Sequence, residues 1–192
     1  MIFCDKINMR FIKKLMRPRR VYLALAQKAQ LRREQTARQL NKMKLIIGSD
    51  HGAVELKEAV KKVLKEEFPQ VEVTDVGTNS GESVDYPDIA QKVCVPVAEG
   101  AFDRGIVLCG TGIGISIAAN KIKGIRAALC HETYTAKMSR QHNNANVLAM
   151  GGRTTGVEIA AEIVRTWMTT DFLGGRHERR VNKIMALEAE NK

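Results

Sequence analysis

Cys109-Gly110-Thr111-Gly112-Ile113-Gly114-Ile115-Ser116 sets a thiol immediately before a glycine-rich turn. The apolar run Gly105-Ile106-Val107-Leu108 ahead of it reads as a buried strand, and Ile115-Ser116-Ile117-Ala118-Ala119-Asn120-Lys121 after it as a helix start. A strand, a glycine turn and a helix N-terminus together present bare backbone N–H groups to an anion. A cysteine at the strand end faces such a site. Helix N-termini lower thiol pKa values, so Cys109 is a candidate thiolate or proton-transfer base. The loop is not a dinucleotide fingerprint, because Gly110 and Gly112 match but the sixth position is Ile115. Nor does it carry the Gly-Lys-Ser/Thr triplet of a phosphate-binding P-loop. The competing reading is a tight strand–helix turn with an inert buried cysteine.

A second cluster, Gly174-Gly175-Arg176-His177-Glu178-Arg179-Arg180, places cations at a helix start, where they oppose the macrodipole. An anion between them would resolve that conflict. Arg176 and Arg180 are four apart, share a helix face and suit bidentate phosphate recognition. The plainer alternative is a solvated basic face.

These residues need a frame, and the periodicity supplies one. Strands are expected at 44–49, 71–75, 105–109, 125–129 and 146–150. Helices are expected at 53–67, 86–99, 114–122, 133–141, 156–167 and about 178–190. Helix 53–67 carries an apolar stripe at Val54, Leu56, Val60, Val63 and Leu64, and Phe68-Pro69 ends it. Repeated strand–helix units imply an α/β fold: a Rossmann-like three-layer sandwich around a five-stranded parallel sheet. Ligands in such sheets bind at the carboxyl ends of the strands. That rim collects Ser49-Asp50-His51-Gly52, Cys109 with its glycine loop, Cys130-His131-Glu132 and Met150-Gly151-Gly152-Arg153. Each member also has a bland role. Asp50 caps a helix, His51 and Arg153 are solvated, His131 is structural, and His142 closes a helix C-terminus in Ser139-Arg140-Gln141-His142-Asn143.

Composition removes other classes. Of 192 residues, 44% are hydrophobic, as in an ordinary globular protein. No apolar run approaches the roughly 18 residues of a membrane span. Cys4, Cys94, Cys109 and Cys130 are scattered without a C-x-x-C pair, which suits a reducing, cytoplasmic setting rather than a disulfide or zinc scaffold. The formal charge of +10 lies wholly in residues 1–42, which hold twelve of the 31 Lys and Arg but only Asp5 and Glu34 of the 21 acidic residues. Residues 43–192 are neutral, so the body has no electrostatic case for a polyanion, and nucleic acid is left to the extension alone. Residues 1–42 are expected to be a weakly ordered basic extension, with 21–40 able to form a helix. Three origins stay open for it: an upstream start ahead of Met43, an Arg-rich targeting segment, or a basic arm.

Taken in order, several segments resemble the ribose-5-phosphate isomerase type B family, within the wider sugar-phosphate isomerases that include the galactose-6-phosphate isomerase subunits. They are Gly48-Ser49-Asp50-His51-Gly52, Asp75-Val76-Gly77-Thr78, Asp85-Tyr86-Pro87, the stretch from Cys109 to Lys121, Gly124-Ile125-Arg126-Ala127, Ser139-Arg140-Gln141-His142-Asn143, Gly151-Gly152-Arg153 and Gly174-Gly175-Arg176-His177 with Arg180. They run from about Met43 to the C-terminus. The resemblance implies that Cys109 is the base that moves a proton between C2 and C1 of an open-chain sugar. It makes the amides of Gly110, Gly112, Ile113 and Gly114 an anion hole, with Thr111 beside the proton path. It gives His142 to ring opening, Asp50 and Tyr86 to the sugar, and Asn143 to a neighbouring amide contact. It gives His51, Arg153, Arg176 and Arg180 to the phosphate. It further implies a homodimer or homotetramer with a shared site, no cofactor and no metal. The expected reaction is ribose 5-phosphate to ribulose 5-phosphate in the non-oxidative pentose phosphate branch.

The residues fit that chemistry on their own terms, since an enediolate route needs one base, donors aimed at the oxyanion and a phosphate handle. The alternatives are an isomerase of a hexose 6-phosphate such as allose or galactose 6-phosphate, and a non-catalytic nucleotide- or RNA-binding module.

Overall fold

The computed structural model describes residues 40–190 and, before them, helical positions at Leu23, Ala26, Gln27, Gln30, Leu31, Glu34 and Arg38. The expectation of weak order for the basic extension falls largely outside the described residues. Two compact units divide at residue 39/40. The second starts three residues before the boundary expected from the sequence, because the Leu40 side chain is buried in the same core as Met43.

The second unit holds five strands: β1 (Lys44–Ser49), β2 (Glu72–Asp75), β3 (Arg104–Cys109), β4 (Ala127–Leu129) and β5 (Val147–Gly151). All pair in parallel, in the order β2-β1-β3-β5-β4. Between them run α1 (Val54–Glu67), α2 (Tyr86–Ala98), α3 (Ile113–Ala119), α4 (Thr133–Asn143) and α5 (Val157–Thr169), with α6 (Arg176–Glu190) last. A single 3-10 turn, His51–Ala53, leads into α1.

The strands read as nearly continuous apolar runs because both faces of the sheet are covered. Leu45 and Ile47 of β1, Ile106 and Leu108 of β3, and Leu148 and Met150 of β5 pack with α1, α4 and α5 around the buried Trp167. The alternate residues Ile46, Val107, Cys109, Val147 and Ala149 pack with α2 and α3 on the other face. This period of two splits the interior into two cores and makes the three layers. Burying either set removes several large aliphatic side chains from water, each worth about 1.5–3 kcal/mol.

Two expected elements come out shorter by two residues. The strand expected at 125–129 begins at Ala127, and the helix expected at 114–122 stops at Ala119. Asn120 explains both. Its carboxamide donates to the Ala127 carbonyl at 2.9 Å and accepts the Ala127 N–H at 2.9 Å, drawing the chain into tight turns. The Arg126 N–H is taken by the Asn146 side chain at 2.8 Å instead of a neighbouring strand.

The strand order places the site. From β1 the chain goes to β2 on one side and then to β3 on the other, so a crevice opens between the carboxyl ends of β1 and β3. Asp50 follows β1 there and donates its N–H to the Leu108 carbonyl at 3.1 Å, one residue from Cys109.

Candidate active site

Cys109 ends β3 with only 4% of its surface exposed, and its Sγ accepts the Gly112 N–H at 3.1 Å. That N–H reaches the sulfur because Gly112 adopts φ +77°, a left-handed turn that also leaves no room for a Cβ: one would sit 2.5 Å from Leu129 Cδ1 and 2.8 Å from the Met150 carbonyl carbon. The loop is stitched to the end of β5 by Gly152 N–H to the Cys109 carbonyl at 2.8 Å and Arg153 N–H to the Gly110 carbonyl at 2.9 Å. Of the four amides expected to form an anion hole, Gly112 points at the sulfur and Ile113 donates to Thr111 Oγ1 at 3.3 Å. Among the described residues the N–H groups of Gly110, Thr111 and Gly114 have no acceptor. A buried sulfur beside open amides is an arrangement for proton transfer next to a developing oxyanion.

Four other side chains gather on this rim. Asp50, buried, accepts the Gly52 N–H at 2.8 Å and so does cap the turn after β1. His51 is exposed, and its Nδ1 accepts the Val84 N–H at 3.3 Å, which leaves Nε2 as the nitrogen able to donate. Gly52 abuts the loop, where a Cβ on it would lie 3.1 Å from Gly110 Cα. The Tyr86 ring covers Gly114 closely enough that a Cβ there would be 2.7 Å from its Cζ, and Arg153 lies beside Gly110, 3.5 Å from a Cβ to Nε. Two further thiols are buried, and burial pushes Cys94 up to about 12 and Cys130 up to about 11. His131 is exposed, and Glu132 beside it caps α4 through the N–H groups of Tyr134 and Thr135.

The remaining expected residues stand elsewhere. A helix joining two parallel strands must run against them, so α4 leaves the carboxyl rim and delivers His142 and Asn143 to the amino edge, just before β5 starts at Val147. The five residues of β5 put about 16 Å between the two edges. Here His142 stacks on His177, with ring centroids 4.1 Å apart and planes 4° apart. Arg176 donates from Nε to His177 Nε2 at 3.3 Å, and Arg180 lies one turn further along α6. Within one chain, therefore, Asp50, His51, Tyr86, Cys109, Thr111 and Arg153 form one group, and His142, Asn143, Arg176 and Arg180 form another.

A family model of ribose/galactose isomerases matches residues 45–184. The chain belongs to that family. It is 50% identical over 145 residues to ribose-5-phosphate isomerase B of Escherichia coli, covering 76% of this chain and 96% of the relative. It is 42% identical over 151 residues to D-erythrulose-4-phosphate isomerase of Pectobacterium atrosepticum, covering 78% and 98%. Among solved structures it superposes on Clostridium thermocellum ribose-5-phosphate isomerase B with a TM-score of 0.75 at 53% identity, over 78% of this chain and all of the other.

This ribose/galactose isomerase chain also uses residues that sequence reasoning passed over. Lys57 is fully buried although it lies beside the apolar stripe of α1. The one sequence signal was its place between Leu56 and Val60. Arg140 and Arg126 clamp the turn that carries His142 and Asn143. Arg140 Nη1 donates to the Ala145 carbonyl at 2.6 Å, and Arg126 Nε donates to the Asn143 and Asn144 carbonyls at 3.2 and 3.1 Å. Burial, with Arg104 and Arg126 nearby, brings the Arg140 pKa down to about 9. His177 was quoted within a motif but given no role, since stacking between helices leaves no local mark in a sequence.

Proposed function

We propose that the chain interconverts ribose 5-phosphate and ribulose 5-phosphate, working as a homodimer or homotetramer whose sites are shared between subunits. The observation that carries the reading is the seat of Cys109, whose sulfur lies beside amides with no protein acceptor. The Cys109 thiolate takes the C2 proton of the open-chain aldose, and the electron pair left behind forms the C1=C2 bond of an enediolate. Charge developing on O1 is received by the amides of the loop, the O2 hydroxyl proton passes to O1, and the thiol returns its proton to C1. Thr111 and Asp50 flank that path, and Tyr86 covers the sugar.

The two edges support subunit sharing. A sugar phosphate is too short to reach from Cys109 to His142 across the sheet of one chain. A second copy related by a two-fold axis can bring its His142, Asn143, Arg176 and Arg180 to the rim, where His51 and Arg153 complete the phosphate contacts. His142 then assists furanose opening. The supporting surface is apolar: Ile113 and Ile117 of α3 are both more than half exposed beside the loop. No helix among the described residues is long and apolar enough to cross a membrane, and Cys94, Cys109 and Cys130 are free thiols. The free thiols support a reducing, cytoplasmic setting. Among the described residues no group of three His, Cys, Asp or Glu is placed to hold a metal ion.

The test is turnover of ribose 5-phosphate, allose 6-phosphate, galactose 6-phosphate and D-erythrulose 4-phosphate, with and without EDTA. The expected result is the highest kcat/KM on ribose 5-phosphate, unaffected by the chelator. A preference for a six- or four-carbon phosphate would replace the substrate and keep the reaction class. Absence of turnover on all four by folded protein would overturn the reading.

A further inference from the structure

Behind the rim, the fully buried Lys57 ends among the last residue of β2 and two residues of the connection from β2 to α2. Its ammonium donates to Asp75, 3.1 Å from Oδ1 and 2.9 Å from Oδ2, to the Thr78 carbonyl at 2.8 Å and to Asn79 Oδ1 at 2.5 Å. An ammonium has three N–H donors, so three partner residues satisfy it, which a buried charge requires. Asp75 in turn accepts the Gly77 N–H at 3.0 Å and Lys61 at 2.8 Å. Burial acts to raise the Asp75 pKa, but hydrogen bonds from Lys61, Lys57 and Gly77 hold it below its ordinary value.

The connection 76–85 has no strand or helix of its own. Its start is tied to the sheet by Val76 N–H to the Ile47 carbonyl and Thr78 N–H to the Ser49 carbonyl. An open pocket of about 490 Å³ lies between the two ends of the connection and α2, lined by Thr78, Val84, Asp85, Asp88 and Lys92 among others. The far end reaches the rim, where the Val84 N–H holds His51 Nδ1 and Tyr86 covers Gly114. Val76 and Val84 pack against the core at the two ends of the segment, and between them the Lys57 anchor at Thr78 and Asn79 fixes where it leaves the sheet.

We infer that Lys57 is a positioning residue of the isomerase site: its ammonium fixes the 76–85 connection so that Val84 holds His51 in the Nε2–H tautomer and Tyr86 stays over Gly114. The inference rests on the proposed roles of His51 and Tyr86 in sugar-phosphate binding. It is tested in the full chain with Lys57→Met and Asn79→Ala, following the His51 ring nitrogens by 15N NMR together with KM and kcat for ribose 5-phosphate.

In Lys57→Met the His51 signals are expected to leave the pure Nε2–H pattern, KM to rise about tenfold and kcat to stay within about twofold. Asn79→Ala removes one of three partners from an exposed residue and is expected to move both readouts the same way by about threefold in KM. A folded variant with wild-type tautomer and wild-type KM would overturn the inference, and if Lys57→Met does not fold, Asn79→Ala decides by the same criterion. A wild-type chain without isomerase turnover would overturn the proposed reaction, while the NMR readout would still decide whether Lys57 orients His51.

Discussion

The imidazole of His142 lies flat against that of His177, 4.1 Å between centroids, and so joins the end of α4 to the start of α6. Burial, followed by the charges of His142, Arg176 and Arg180, lowers the His177 pKa from its ordinary 6.5. A histidine depressed in the folded state adds its full share of stability above pH 6.5. That share is lost as pH falls below 6.5 toward the folded-state pKa, because the unfolded chain takes up the proton first. The NMR titration midpoint of His177 is therefore expected below 6.5, with Tm falling over the same window and less steeply in His177→Gln. A midpoint at or above 6.5 would contradict the buried, stacked placement of His177.

The two edges of the sheet make a prediction about mixtures. Cys109→Ala and His142→Ala should each be nearly inactive alone, because in the proposed shared arrangement each lacks one half of every site. Unfolded together and refolded, half of the dimers are mixed, and each mixed dimer holds one intact site of two. About a quarter of wild-type activity should return. No recovery from well-formed mixed dimers would place both groups in one chain's site.

Cys109 should be separable from its buried neighbours. Replacing it by alanine is expected to lower kcat by about 10²–10⁴-fold, the usual scale for a lost general base, without loss of fold. Cys94→Ala and Cys130→Ala should retain turnover, since burial keeps those thiols protonated. Iodoacetamide should inactivate the wild type, and ribose 5-phosphate should protect it. Full activity after stoichiometric alkylation of Cys109 would assign the base elsewhere.

Gly112→Ala tests the turn that aims an N–H at the sulfur. A side chain at φ +77° is strained, and its Cβ would meet the Met150 backbone at 2.8 Å. The expected loss is about 2–4 kcal/mol in urea unfolding, together with slower alkylation of Cys109 as the Gly112 N–H turns away. Wild-type stability would show that the loop has room the structure does not display.

Much of this molecule was legible one residue at a time. The strand, glycine turn and helix around Cys109 are local features, written in an apolar run, in residues free of Cβ and in the helix-forming stretch that follows. The same holds for α1 and α2, expected at 53–67 and 86–99 and found at Val54–Glu67 and Tyr86–Ala98. Where bounds moved, as at β4 and α3, the agent was Asn120 reaching Ala127 seven residues away, which no periodicity records.

The sequence by itself determined which chemistry was available: a thiol at a strand end, a backbone cradle, and two arginines four residues apart at a helix start. Periodicity and turn residues act over a few positions, and that is enough to set elements and motifs. The tertiary structure alone decided which groups meet. The order β2-β1-β3-β5-β4 opens the crevice beside Cys109, and the reversed course of α4 carries His142 to the far edge. Burial turns Lys57 from a surface charge into an anchor. These outcomes depend on strand order and helix direction, which arise from contacts between residues distant in the chain and leave no pattern within it.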